Sequence, residues 1–270
     1  MASLAETGET MSVGRVFSRG FGVIADNPVT VFGVAFVLGT LPGLAINLVG
    51  RSMGTSMSGL SAATLDGYQV MGAAAIGFLM LLIGLALKAL VQGSLVRATL
   101  AYARDERATF GECIASSLGV VLPLIGLVIV MVIAVGAGLM LLIVPGVILY
   151  IIWSVASPAL VAERTGVFGA LARSSELTKG ARWKVFGVEF LLLMFNWIFS
   201  AVLSATMLAT VGTDLTKLAT TGLPVSWIVL SAISGTIINT VWSTIQASLY
   251  VELRNWKEGL PEQSLAEIFA

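Results

Sequence analysis

Apolar residues run along this chain in six long stretches, at 29–49, 70–92, 118–144, 145–161, 183–210 and 225–250. Each qualifies, or nearly so, against the roughly 20 residues that a helix needs to cross a hydrocarbon core of about 30 Å. None shows the alternation of a barrel strand, and backbone in lipid must bond internally, so the stretches predict helices. Only Ile143-Val144-Pro145-Gly146 separates the third from the fourth. Proline cannot continue a helix and glycine permits a tight reversal, so a hairpin is expected there. The fold class read from this pattern is all-α: a polytopic membrane bundle of six transmembrane helices in three hairpins, a single membrane domain over 1–270.

Shorter periodicities precede the spans. Val13, Val16, Phe17, Phe21 and Ile24 recur at helical spacing, with Arg15, Ser18 and Arg19 opposite. That is the pattern of an interfacial amphipathic helix. Its basic face would meet anionic headgroups at about 1 kcal/mol per charge; its apolar face could equally pack on the protein's own spans, and the sequence leaves both open. The segment 109–117 echoes 167–175, so each hairpin is expected to follow a cytoplasmic helix of this kind. A shift of 154 residues lays Val31-Phe32-Gly33-Val34 over Val185-Phe186-Gly187-Val188, Gln92-Gly93-Ser94-Leu95 over Gln246-Ala247-Ser248-Leu249, and Arg19 over Arg173. One offset in separated segments predicts a parallel internal repeat, with units at 11–108, 109–164 and 165–270. The proline-free run 70–104 would reach about 52 Å as helix, beyond the bilayer core; 230–257 reads similarly.

Charge gives direction. With six spans, twelve basic residues fall on one side: Arg15, Arg19, Arg97, Arg104, Arg107, Arg164, Arg173, Lys179, Arg182, Lys184, Arg254 and Lys257. Two, Arg51 and Lys217, fall on the other. The imbalance predicts both termini in the cytoplasm. Glu6, Glu9 and Asp26 argue against a secretory signal in the first 28 residues.

Composition agrees. Of 270 residues, 57% are hydrophobic and 11% charged, against roughly a quarter charged in soluble domains. Fifteen basic and fifteen acidic residues give no net charge, which leaves nothing to neutralise nucleic-acid phosphates. There is no histidine, so the commonest general base and metal ligand is missing. The one cysteine, Cys113, reads as a small apolar filler beside Glu112, a neighbour that would raise its pKa. No nucleophile elbow, phosphate loop or dinucleotide fingerprint occurs. No cofactor is expected.

Two charges lie inside apolar stretches, Lys88 and Glu189. Such charges are costly and are candidates for function. Snorkelling, or an ion pair between the second and fifth spans, is the structural alternative to a proton or substrate relay. Three stripes of small and polar residues follow helical spacing: Gly77, Gly84, Lys88 and Gln92; Asn196, Ser200 and Ser204; Ser231, Gly235, Asn239, Ser243 and Ala247. They suit close helix packing, and would also suit a polar pathway. Pro42 predicts a kink in the first span.

The stretch from Pro158 to Gly180 carries Pro158, Val161, Glu163, Gly166, Ala170-Leu171, Arg173-Ser174, Leu177 and Gly180, after Pro145-Gly146 and before Trp183. This pattern resembles a bacterial family of six-span inner-membrane proteins, largely uncharacterised, related to the membrane portion of glycerophosphodiester phosphodiesterases. The resemblance is strongest over 140–190. It implies an all-helical protein of the bacterial inner membrane and carries no activity across, because the phosphodiesterase chemistry sits in a separate domain. Glu163, Arg164, Arg173 and Glu176 could form a cytoplasmic ion-pair cluster; Arg173 and Ser174 could instead hold a lipid phosphate.

The reading expected first is a non-enzymatic membrane protein that organises lipid or protein partners, other membrane proteins or further copies of itself among them, with no continuous polar cavity. The alternative is a transporter or channel with a cavity near Lys88 and Glu189. A lipid-directed enzyme would have only Glu163, Glu189, Asp66 and Asp214 as acid or base, and none of these forms a close motif.

Overall fold

A computed structural model describes residues 11–45, 67–104, 106–211 and 225–259. Arg51, Lys217, Asp66 and Asp214 lie outside them, as does most of the two loops expected on the less basic side. The described residues form helices and no strand: α1 Val13–Asp26, α2 Pro28–Ala45, α3 Gly67–Tyr102, α4 Phe110–Leu118, α5 Val121–Leu141, α6 Ile143–Trp153, α7 Ala156–Glu163, α8 Gly166–Thr178, α9 Arg182–Val211 and α10 Val225–Glu258. Six segments are long and apolar enough to cross a membrane: α2, most of α3, α5, α6 with α7, α9 and α10. The chain is a multi-pass membrane protein.

Local chemistry sets most boundaries. Pro28 ends α1 and starts α2, and the Asn27 side chain caps the new helix by accepting from the Thr30 amide at 3.4 Å. Thr109 and Glu112 form a reciprocal capping box at the start of α4. Its Thr109 amide and hydroxyl bonds hold the Glu112 carboxyl below its ordinary range. Inside α2, Ala35–Thr40 winds as a π-helix just before Pro42, where a kink was expected.

Two breaks differ from the expected pattern. The reversal between the third and fourth spans is at Leu142 alone, in extended backbone at φ −158° and ψ 142°. Pro145 lies within the first turn of α6, where its missing amide costs nothing. Gly138 and Gly146 then bring α5 and α6 backbone to backbone: a Cβ on Gly146 would stand 2.6 Å from the Leu139 nitrogen. The expected single helix at 145–161 is also divided, at Ser154–Val155. Pro158 has no amide to reach Ser154, so the helix stops and restarts as α7. The Ile152 carbonyl beside that break is satisfied from α8, by Ser174 at 2.8 Å and Thr178 at 3.3 Å.

Buried side chains concentrate in one half of the bundle. Among the described residues of α3 they begin at Ala89, in α10 at Ser234, and in α9 they are Val185, Val188, Glu189 and Leu192. Tyr250, Leu249 and Ile245 of α10 form the largest cluster with Val16 of α1, Leu177 of α8 and Val188 of α9. A second joins α3, α5, α7 and α8 around Leu124, Leu127 and Leu160. A third joins α1, α2, α3 and α4 around Val31, Leu95 and Cys113. Elsewhere the spans turn large apolar side chains outward, among them Phe78, Met140, Trp197 and Val202, as hydrocarbon surroundings require.

Gly146→Ala should lower the thermal stability of the purified protein by about 1–3 kcal/mol, the usual cost of overpacking. Gly136→Ala, with nothing within 4 Å of the added carbon, should be neutral or slightly stabilising. Equal unfolding midpoints for the two variants would contradict the close approach of α5 and α6.

Candidate functional site

The three polar stripes do not pack against one another throughout. Gly84, Lys88 and Gln92 of α3, Asn196 of α9, and Ser231, Gly235, Asn239 and Ser243 of α10 line one cavity of about 680 Å³. Ala35, Gly39 and Thr40 of the π-helical stretch of α2 also line it, with Gly43 and Leu44 beyond that stretch. Gly77, Ser200, Ser204 and Ala247 are not on this wall. The volume falls in the range of small-molecule sites, about 300–1,000 Å³. Its wall reaches the buried half of the bundle at Ala35, Val91 and Ser243.

The α10 side chains on the wall spend donors within their own helix. Ser231 donates to the Ile228 carbonyl at 2.9 Å, and the Asn239 amide to the Gly235 carbonyl at 2.8 Å. Among the described residues Lys88 is the one charged residue lining the cavity, and no ion pair engages it. A cation on a membrane-spanning helix is costly without a counter-charge. Lys88 is exposed rather than enclosed.

Lys88 and Glu189 therefore do not pair. Glu189 is fully enclosed between α6, α9 and α10, where it accepts from the Tyr150 hydroxyl at 2.8 Å and the Gln246 amide at 3.4 Å. It is not on the cavity wall; Gln246 follows the wall residue Ser243 by one helical turn. The expected contact between the second and fifth spans through these two charges is replaced by two separate sites.

The basic face of α1 turns toward protein. Arg15 Nε donates to Glu252 at 2.8 Å, Arg19 reaches the same carboxylate at 3.5 Å, and the Ser12 amide adds a bond at 3.2 Å. Glu252 is buried, so all three partners serve a charge that water does not reach. The apolar side of α1, with Val16, Gly20 and Val23 buried, packs on the spans. The expected packing of its apolar face on the protein's own spans is observed.

Arg173 is the second anchor. It donates to Glu163 at 2.8 Å, to Glu176 at 3.3 Å and to Glu258 of α10; Arg254 holds Glu258 at 2.9 Å, and the Tyr250 hydroxyl donates to Glu163 at 2.8 Å. Burial disfavours the Arg173 charge, but the bonds it donates to Glu258 and Glu163 outweigh this and hold the guanidinium above its ordinary value. With Arg173 bonded to three carboxylates and Ser174 buried on the Ile152 carbonyl, the side chains form the ion-pair cluster, the first of the two expectations. Arg164 is not in the cluster: it occupies the left-handed turn after α7 at φ 52°, exposed. Gly166 and Gly180, at φ +76° and +90°, fill turns that favour glycine. The whole pattern from Pro158 to Gly180 is thus an architectural corner.

Cys113 is buried in the third cluster, and burial pushes its thiol up to about 11, with Glu112 a lesser cause opposed by Arg97. It is a filler, as expected. Sequence reasoning missed Glu252, Glu258, Tyr150 and Tyr250. The available signal was Glu252 itself, an acid between Val251 and Leu253 in an otherwise apolar run.

Glu252→Gln should cost about 1–3 kcal/mol, below the 3–5 of a fully buried pair because Arg15 is 43% exposed. Trypsin should then cut at Arg15 and Arg19 faster than in the parent. Arg107→Gln, which removes an exposed partner of Asp26, should change neither readout. A Glu252→Gln protein as stable and protease-resistant as Arg107→Gln would contradict the anchor.

No curated protein and no solved structure matches this chain. The resemblance to the phosphodiesterase-related family thus stands on the 140–190 pattern alone. One family model matches residues 11–253, from the start of α1 to the last turns of α10, and carries no activity. The chain belongs to the family described as domain of unknown function DUF7847.

Proposed function

We propose that this chain is a non-enzymatic integral membrane protein that binds, and by binding carries, a ligand with an anionic group in the cavity at Lys88. The observation that supports this reading over a purely organising role is the cavity itself. Packing stripes would meet; these diverge around about 680 Å³ and leave a lone cation on the wall. Glu189 is no part of the proposed route.

The setting proposed for it is the bacterial inner membrane with both termini cytoplasmic. The anchored charges of α1, α7, α8 and the end of α10 belong to segments the charge imbalance assigns to that side. Membrane lipids are its surroundings, with other membrane proteins or further copies as possible neighbours. The parallel repeat is part of the same proposal. At a shift of 154, α1, α2 and α3 fall on α8, α9 and α10. Val16, Gly20, Val23, Val31, Val34 and Leu95 are buried, and so are their counterparts Ala170, Ser174, Leu177, Val185, Val188 and Leu249. Three hairpins, each introduced by a short helix (α1, α4, α8), follow from this arrangement.

Thermal unfolding in detergent with added acetate, phosphate or oleate tests the function. At least one probe should raise the midpoint saturably. Lys88→Gln should weaken that probe about ten- to a hundredfold, the worth of a charged hydrogen bond. Gly235→Leu should block it by filling the cavity, since nothing stands within 4 Å of the added carbon. No shift with any probe, or an undiminished shift in Lys88→Gln, would contradict the proposal.

A further inference from the structure

The seam between α2 and α10 has two different sides. Its inner side is the cavity wall, formed by Ala35, Gly39 and Thr40 of α2 against Ala232 and Gly235 of α10. Its outer side is an apolar groove of about 370 Å³, walled by Phe32 and Phe36 of α2 and Ile233 and Ile237 of α10. One side-chain hydrogen bond spans the seam here, between the Thr40 and Thr236 hydroxyls. Inter-helical hydroxyl bonds in membranes are weak. The α2 side of the seam is a π-helix, a rare turn that recurs at functional sites. So a charged, polar chamber and a hydrocarbon-lined groove lie back to back, separated on the α2 side by the π-helical turn.

Resting on the reading that the cavity takes an anionic group, we propose that the α2–α10 seam is a lateral passage for an amphiphile with an anionic head and a single hydrocarbon chain. The head sits against Lys88 and the polar wall; the chain passes between Thr40 and Thr236 into the groove. Charge complementarity commits the head to an anion. The groove commits the remainder to hydrocarbon, because a wholly polar solute would gain nothing from it. The two compartments adjoin across the same helical turns: Gly39 and Thr40 face the chamber, Phe36 the groove.

Radiolabelled oleate binding in nanodiscs, competed by acetate, octanoate and oleyl alcohol, tests this. Each methylene leaves water about fourfold more favourably for bilayer and groove alike, so oleate should outcompete octanoate, and octanoate acetate, by more than their partition into protein-free nanodiscs accounts for. Oleyl alcohol, lacking the charge, should compete poorly. In a Cys113→Ala background, Thr40→Cys with Thr236→Cys should lose oleate binding when oxidised and regain it on reduction. Gly33→Leu gives an independent block, since its added carbon meets only the Phe110 ring at 3.8 Å and so does not clash. Lys88-dependent binding that is indifferent to chain length, or unaffected by both the disulfide and Gly33→Leu, would overturn the passage and leave the cavity reading standing. Absence of binding by every anion would overturn both.

Discussion

Two carboxylates near the end of α10 fasten the peripheral helices to the bundle, and the open cavity depends on that fastening. Glu252 takes Arg15 and Arg19 from α1; Glu258 takes Arg173 from α8, and Tyr250 ties the same helix to Glu163 of α7. In lipid there is no hydrophobic force to draw helices together, so packing and polar bonds must do it. Here both are gathered in one half of the molecule. The largest apolar cluster, around Tyr250, Leu249 and Ile245, lies on the same stretch of α10 as the anchors. With that half held, the other halves of α2, α3, α9 and α10 can stay apart without the bundle coming undone.

This division explains why one helix can carry two sorts of polar residue. Below, on α10, Gln246, Tyr250 and Glu252 are committed to partners on neighbouring helices. Above, Ser231 and Asn239 bond back to their own backbone and leave the wall polar but unengaged. Glu189 belongs to the committed half and Lys88 to the open half, which is why two charges that look alike in the sequence end in different surroundings.

The spans were legible because crossing hydrocarbon is a demand on local composition, and each stretch meets it alone. The corner from Pro158 to Gly180 was legible as a pattern, since prolines and glycines declare their backbone needs. Its Arg173–Glu163–Glu176 cluster could be anticipated from charge, but the third acid, Glu258, lies 85 residues away. The exact breaks were misplaced because a proline stops a helix before itself: Pro145 and Pro158 each sit inside the first turn of the next helix. The cavity was not legible. Gly84, Asn196 and Gly235 read alike whether their helices meet or part, and the crossing of two helices is set by contacts elsewhere, here the anchored ends.

Water inside the bundle is the most direct consequence of the account. A cysteine placed at Asn239, on the cavity wall, should react in intact vesicles with a small charged thiosulfonate reagent, and prior treatment at that site should exclude the anion. A cysteine that reacts only after the protein is unfolded would mean that α2, α3 and α10 close on one another in the bilayer, and that Lys88 faces no chamber.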